Sequence, residues 1–78
     1  MYYVYILLCS DNTYYTGLTE NIRKRIKEHK TGLVKYTKNR RPIKVVWIGI
    51  FRNKKKASLF EKYLKSGSRN AFLRKRLV

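Results

Sequence analysis

An α+β fold built on a small three-stranded sheet follows from three features of this chain. Two β-prone runs open it, separated by a short polar turn, and a third recurs at residues 43–51. Segments with helical spacing lie between and after these runs. The predicted order is β-β-α-β-α-α, an antiparallel or mixed sheet with flanking helices, as one domain over residues 1–78. A chain of this length has a modest core and marginal stability.

Residues 2–9 are apolar and aromatic on both faces, so this strand is expected to be central or covered on both sides. Ser10, Asp11 and Asn12 carry turn chemistry, and residues 13–18 form the second run. A three-residue loop with Asn12 left-handed sets Cys9 opposite Thr13, Leu7 opposite Tyr15 and Tyr5 opposite Gly17. Tyr5 and Tyr15 then share a sheet face as diagonal neighbours, and a loop one residue longer or shorter would separate them. Thr19 is the expected N-cap of a helix running to about Lys30, with Gly32 ending it. Ile22 and Ile26 supply its buried stripe, and Arg25 and His29, four apart, share the stripe's border.

Residues 31–42 form a basic connection with Tyr36 and Thr37 inside it. Asn53 is the expected cap of a second long helix through about Lys65, with Ala57, Phe60 and Leu64 inward. Gly67 breaks it, and a short last helix from Ser68 carries Phe72, Leu73 and Leu77.

Composition narrows the function. Twenty Lys and Arg against four Asp and Glu give a net charge of +16, so a polyanionic partner is expected, nucleic acid first. The 44% hydrophobic and 14% aromatic content still supports a folded core rather than disorder. Cys9 is the one cysteine and has no internal disulfide partner, which fits a reducing compartment. The opening apolar run lacks a basic leader and is too short to span a bilayer. The expected location is the cytoplasm, with no membrane partner.

Within that charge stand Tyr3-Val4-Tyr5, Tyr15-Thr16-Gly17, Arg25 and an isolated Glu61. Phenols, a guanidinium and one carboxylate suit phosphodiester chemistry. Each residue also has a plainer role open to it: the tyrosines as strand core, Arg25 and His29 as helix surface, Glu61 as the partner of Lys62, Lys65 or Arg25. Glu61 is the only acid after residue 28, and a binding protein has little reason to place one at a phosphate-binding face.

The two tyrosine motifs, the helix arginine with His29 four later, the basic stretch from Tyr36 to Pro42 and the glutamate on the next long helix together resemble the GIY-YIG nuclease family. Lys62-Tyr63-Leu64-Lys65-Ser66-Gly67 and Leu73-Arg74-Lys75-Arg76-Leu77 are similar to the ending of small stand-alone bacterial members. Here the first motif reads Tyr-Val-Tyr in place of Gly-Ile-Tyr, and the second reads Tyr-Thr-Gly in place of Tyr-Ile-Gly. Leu18 stands where repair-type members carry lysine. The resemblance implies a divalent-metal-dependent endonuclease domain, also found in repair incision subunits, homing endonucleases and some restriction enzymes. It implies Tyr5, Tyr15, Arg25, His29 and Glu61 as catalytic residues, with Glu61 as metal ligand.

The chemistry supports those roles separately. A single carboxylate suits one Mg²⁺ or Mn²⁺ ion that keeps several waters. Arg25 offers a planar fork to transition-state oxygens. A tyrosine is a poor base at its reference pKa of about 10, though strong positive charge and a metal would favour its phenolate. Tyr5 and His29 thus both remain candidates for the general base, with Tyr15 orienting water or phosphate. Lys35, Tyr36, Thr37, Lys38, Arg40 and Arg41 are the expected nucleic-acid contacts, with DNA the expected substrate. A chain this short could dimerise to cut both strands. The competing reading is a non-catalytic basic binding module whose Tyr36 and Trp47 stack on bases.

Overall fold

The computed structural model describes residues 1–77, and side chains through residue 76. Strands β1 (Tyr2–Leu8) and β2 (Tyr14–Thr19) are followed by helices α1 (Ile22–Thr31) and α2 (Lys35–Lys38). Strand β3 (Lys44–Phe51) and helix α3 (Lys54–Tyr63) come next, then a wide helical turn at Leu64–Ser68 and helix α4 (Arg69–Leu77). The fold is α+β: a fully antiparallel sheet of order β2-β1-β3 with helices on both faces. The observed order is β-β-α-α-β-α-α, which corrects the expected one by adding α2 within the basic connection. Four residues show no periodicity to read, and α2 is fixed by burying Thr37 rather than by propensity.

The hairpin forms in the expected register. Asn12 takes φ 66°, Cys9 N–H donates to the Thr13 carbonyl at 2.8 Å, and Tyr5 pairs with Gly17 and Leu7 with Tyr15. Asp11 Oδ1 accepts from the Thr13 backbone N–H at 3.2 Å, an Asx turn that tightens the loop. On the other side of β1, Ile6 pairs with Trp47 while Leu7 pairs with Val45, so β3 carries one extra residue, Val46, at a bulge.

Alternation along β1 divides the core. Val4 and Ile6 pack against Ala57, Leu64, Phe72 and Leu73 of α3, the wide turn and α4. Tyr5 and Leu7 pack with Cys9 and Ile43 on the opposite face, where α1 lends Ile22 and Ile26. Ala57 and Leu64 are buried as expected and Phe60 packs at the edge of that core. The side chain of Leu77, expected on the last helix, lies outside the described residues.

Two helix boundaries show local chemistry at work. Asn21, not Thr19, caps α1: its side chain accepts from Lys24 N–H at 3.1 Å, while Thr19 Oγ1 accepts from Asn21 N–H at 3.1 Å. The cap moved because Asn binds the third N–H of the helix while Thr19 is still in β2. Gly32 ends α1 at φ 84°, where its N–H reaches the Glu28 and His29 carbonyls. Asn53 caps α3 as expected, accepting from Lys56 N–H at 3.0 Å. Past Gly67, the last helix begins at Arg69.

Candidate active site

β1 and β2 place Tyr5 and Tyr15 side by side on the α1 face of the sheet, with ring centroids 6.2 Å apart. Gly17, directly across from Tyr5, is what lets the phenol lie there. A Cβ on Gly17 would fall on the Tyr5 ring and hydroxyl. The space the sequence left beside this phenol is filled by the phenol itself. Gly17→Ala is therefore expected to displace Tyr5 and to cost about 1–3 kcal/mol of stability. Urea unfolding checks this, and a native-like midpoint would contradict it.

Helix α1 brings Arg25 and His29 to the same cluster. His29 is fully buried, 4.8 Å centroid-to-centroid from Tyr15, with Nε2 2.9 Å from the Tyr5 hydroxyl. Its Nδ1 lies 2.8 Å from Thr37 Oγ1. One proton arrangement satisfies the whole chain: Tyr5 O–H donates to Nε2, Nδ1–H to Thr37, and Thr37 to the Val34 carbonyl, with the Arg25 charge beside Tyr5. Thr37, expected on the nucleic-acid surface, is instead completely buried and orients His29. A threonine eight residues beyond a histidine carries no periodic signal, so only the fold shows it.

Burial sets the protonation of this pair. Desolvation pushes the Tyr5 phenol up to about 12, against the hydrogen bond from Arg25. In the protein alone the phenol therefore stays protonated at neutral pH. Desolvation, then the Arg25 charge, pushes His29 down to about 4, leaving it neutral. Arg25 is held above its ordinary value by hydrogen bonding to Tyr5 and then to Glu28, so its charge is permanent. Its ion-pair partner is Glu28 at 3.2 Å, a neighbour that spacing of three on a helix could have pointed to.

His29 makes stability depend on pH with a defined sign. It is the chain's one histidine, and its folded pKa lies below the unfolded value, so the unfolded state binds the extra proton. Its stabilising contribution is complete above about pH 6.5 and is lost as pH falls toward 4. A loss of about 2 kcal/mol is expected between pH 6.5 and 5, above most carboxylate titration. Urea midpoints across that interval check it, and a flat profile would place a charged or exposed imidazole there.

Glu61 is carried by α3, whose Ala57 packs with Val4 and Ile6 of the sheet. Its side chain is 18% exposed and its carboxylate lies 3.2 Å from Lys65 Nζ, one of the anticipated pairings. Thus Tyr5, Tyr15, Arg25 and His29 converge in one cluster, and Glu61 stands on α3 beside Lys65.

The basic surface also sorts. Lys35, Tyr36 and Lys38 are exposed on α2. Tyr36 packs against Tyr15 at 5.3 Å, and the Arg40 guanidinium sits over its ring at 4.3 Å. Arg40 also pairs with Asp11 at 3.3 Å. Arg41, also exposed, donates to the Lys38 and Lys30 carbonyls and ties the connection to the end of α1. Trp47 is unavailable for base stacking because its ring packs 4.9 Å from Phe72 and 5.5 Å from Phe60.

A buried phenol–imidazole pair beside an arginine, on a β2-β1-β3 sheet with α3 packed against it, is the arrangement the GIY-YIG resemblance led us to expect. The family model described as the GIY-YIG catalytic domain matches residues 1–76, and the chain belongs to that family. A UPF0213 protein of Clostridium perfringens is 49% identical over 71 residues, spanning 90% of this chain and 76% of its own. A UPF0213 protein of Staphylococcus haemolyticus is 43% identical over 74 residues, spanning 94% and 90% respectively. The solution NMR structure of a UPF0213 protein from Bacillus halodurans superposes with a TM-score of 0.60 at 39% identity, covering 99% of this chain and 82% of that one. Membership carries nuclease chemistry on nucleic acid, generally with a divalent metal.

The residues present fit such an ion in one way. Among the described residues no three His, Cys, Asp or Glu side chains cluster into an all-protein cage. A lone, largely buried carboxylate whose partner is a half-exposed lysine does suit Mg²⁺, which keeps most of its waters and needs few protein ligands. Glu61 is the residue that would hold it. Among the described residues no helix is long and apolar enough to cross a membrane.

Proposed function

We propose that residues 1–78 form one endonuclease domain that hydrolyses phosphodiester bonds in DNA with one Mg²⁺ or Mn²⁺ ion, in cytoplasmic repair or recombination. The observation that carries this reading is the buried Tyr5–His29 hydrogen bond beside Arg25. A core that needed only packing would place an apolar side chain against Tyr5, since burying two polar rings costs free energy unless both are satisfied.

Their protonation states suggest a division of labour. Neutral His29 is the group in the cluster able to accept a proton at pH 7. As Tyr5 passes its proton to Nε2 it can take one from an attacking water, so the phenol relays and no free phenolate need accumulate. This joins the two base candidates into one path. Arg25 faces the phosphate oxygens where charge builds, and Tyr15, partly exposed beside it, orients the water or phosphate. The ion held at Glu61 would supply Lewis-acid neutralisation of phosphate charge.

The α2 surface is the proposed DNA contact. Replacing Lys35 or Lys38 with alanine is expected to lower the slope of log K against log salt by about 0.9 each on duplex DNA. Arg40, already paired with Asp11, should lower it less, and Arg41 should matter through folding of the connection. An unchanged slope for both lysines would move the surface elsewhere. Two copies on one duplex would cut both strands, which product mapping would reveal. A cleavage panel of single-stranded, duplex, flapped and branched DNA and RNA in Mg²⁺ tests the reading: cutting of RNA alone, or of nothing, would contradict it.

A further inference from the structure

The two faces of the sheet are covered unequally. α3 and α4 pack on one face, whereas on the other α1 is the one long helix. α1 lies over Tyr5, Leu7 and Val45, and beyond it the outer strand β3 presents Ile48 and Ile50, which are 43% and 64% exposed. Between α1 and β3 runs a groove floored by Ile22, Ile26, Val45 and Ile48. Its α1 wall carries Arg23, Lys27 and Lys30, all exposed. This flank of α1 is not the one that holds His29 against Tyr5.

We infer that this groove is a docking site for an acidic amphipathic helix of another protein. The floor is apolar, so it rewards apolar side chains and offers nothing to a phosphate backbone. The rim repeats positive charge at spacings of four and three along α1, the spacing at which a parallel helix presents a row of acids. A second copy of this chain lacks the charge to fill it. Of its four acids, Asp11, Glu28 and Glu61 are already paired with Arg40, Arg25 and Lys65, leaving Glu20. A helix seated here would complete the two-helix layer seen on the opposite face. It would leave Tyr15 and Arg25, the partly exposed members of the cluster on the other flank of α1, uncovered, so a partner could recruit the enzyme without blocking it.

The test uses three labelled synthetic helical peptides of about 18 residues, about five turns. The first carries a leucine stripe flanked by glutamates, the second the same residues with the stripe scrambled, the third lysines for glutamates. At about 150 mM salt, fluorescence anisotropy is expected to show the first binding at least about tenfold tighter than the second, and the third not binding. Ile48→Asp, at an exposed position, should erase the advantage of the first peptide. Arg23→Glu with Lys27→Glu should transfer binding to the third. Backbone amide shifts on binding should centre on Ile22, Ile26, Val45 and Ile48. Equal binding of the scrambled acidic peptide would show charge attraction without a groove. An advantage that survives Ile48→Asp, or shifts centred on Tyr36 and Arg40, would also overturn the assignment.

Discussion

Glu61→Gln is expected to hold DNA as tightly as the native chain, or more tightly, while its metal-dependent cleavage is abolished. The substitution keeps the side chain's size and removes one negative charge from a molecule of net charge +16, so long-range attraction for a polyanion can only rise. Folding should be little affected, because the pair lost is with Lys65, which is half exposed, and such pairs contribute about 1 kcal/mol or less. What disappears is the one carboxylate proposed to hold the ion. Binding and cleavage measured on the same DNA separate the two effects. Cleavage at the native rate in Mg²⁺ would remove Glu61 from the metal site.

Arg25→Ala should act in the complementary way, weakening binding slightly and lowering the single-turnover rate by about 10²-fold or more, the scale for losing one preorganised charge stabiliser. Its guanidinium interacts with Tyr5 and Tyr15, and its hydrogen bond to Glu28 holds it in place before any substrate arrives. Arg23→Ala and Lys24→Ala serve as controls, since both neighbours are exposed. Arg25→Lys should recover only part of the rate, because an ammonium cannot present a bidentate fork. An Arg25→Ala enzyme no slower than the Arg23 control would leave a binding surface with no catalytic arginine.

Much of this architecture is legible in the residues because local rules and tertiary packing agree. Asn12 tolerates positive φ, so the loop length sets the hairpin register and with it the shared face of Tyr5 and Tyr15. Asn53 and Gly32 mark helix ends by the groups they satisfy. Where two cap-forming residues compete, as Thr19 and Asn21 do, propensity does not choose, and the end of β2 decides.

The site was legible in its members more than in its states. Helical spacing puts Arg25 and His29 on one border, but nothing in that spacing says the imidazole is sealed from water by Tyr5, Tyr15 and Thr37. That sealing keeps the Tyr5 phenol protonated and hydrogen-bonded to the imidazole. Thr37 and Arg41 looked like parts of a basic loop because composition was the only available signal. Side-chain hydrogen bonding turns Thr37 inward to His29 and ties the exposed Arg41 to the Lys38 and Lys30 carbonyls. Trp47 looked available for stacking because strand alternation does not say which face α3 and α4 will cover.

The central claim is that this cluster cuts nucleic acid with a divalent ion. The most direct measurement follows end-labelled DNA with the native chain in Mg²⁺, before and after excess EDTA. Product is expected to accumulate in Mg²⁺ and to stop forming on chelation while the DNA remains bound. Tight binding with no product in Mg²⁺ or Mn²⁺ would contradict it and make the chain a basic nucleic-acid-binding module.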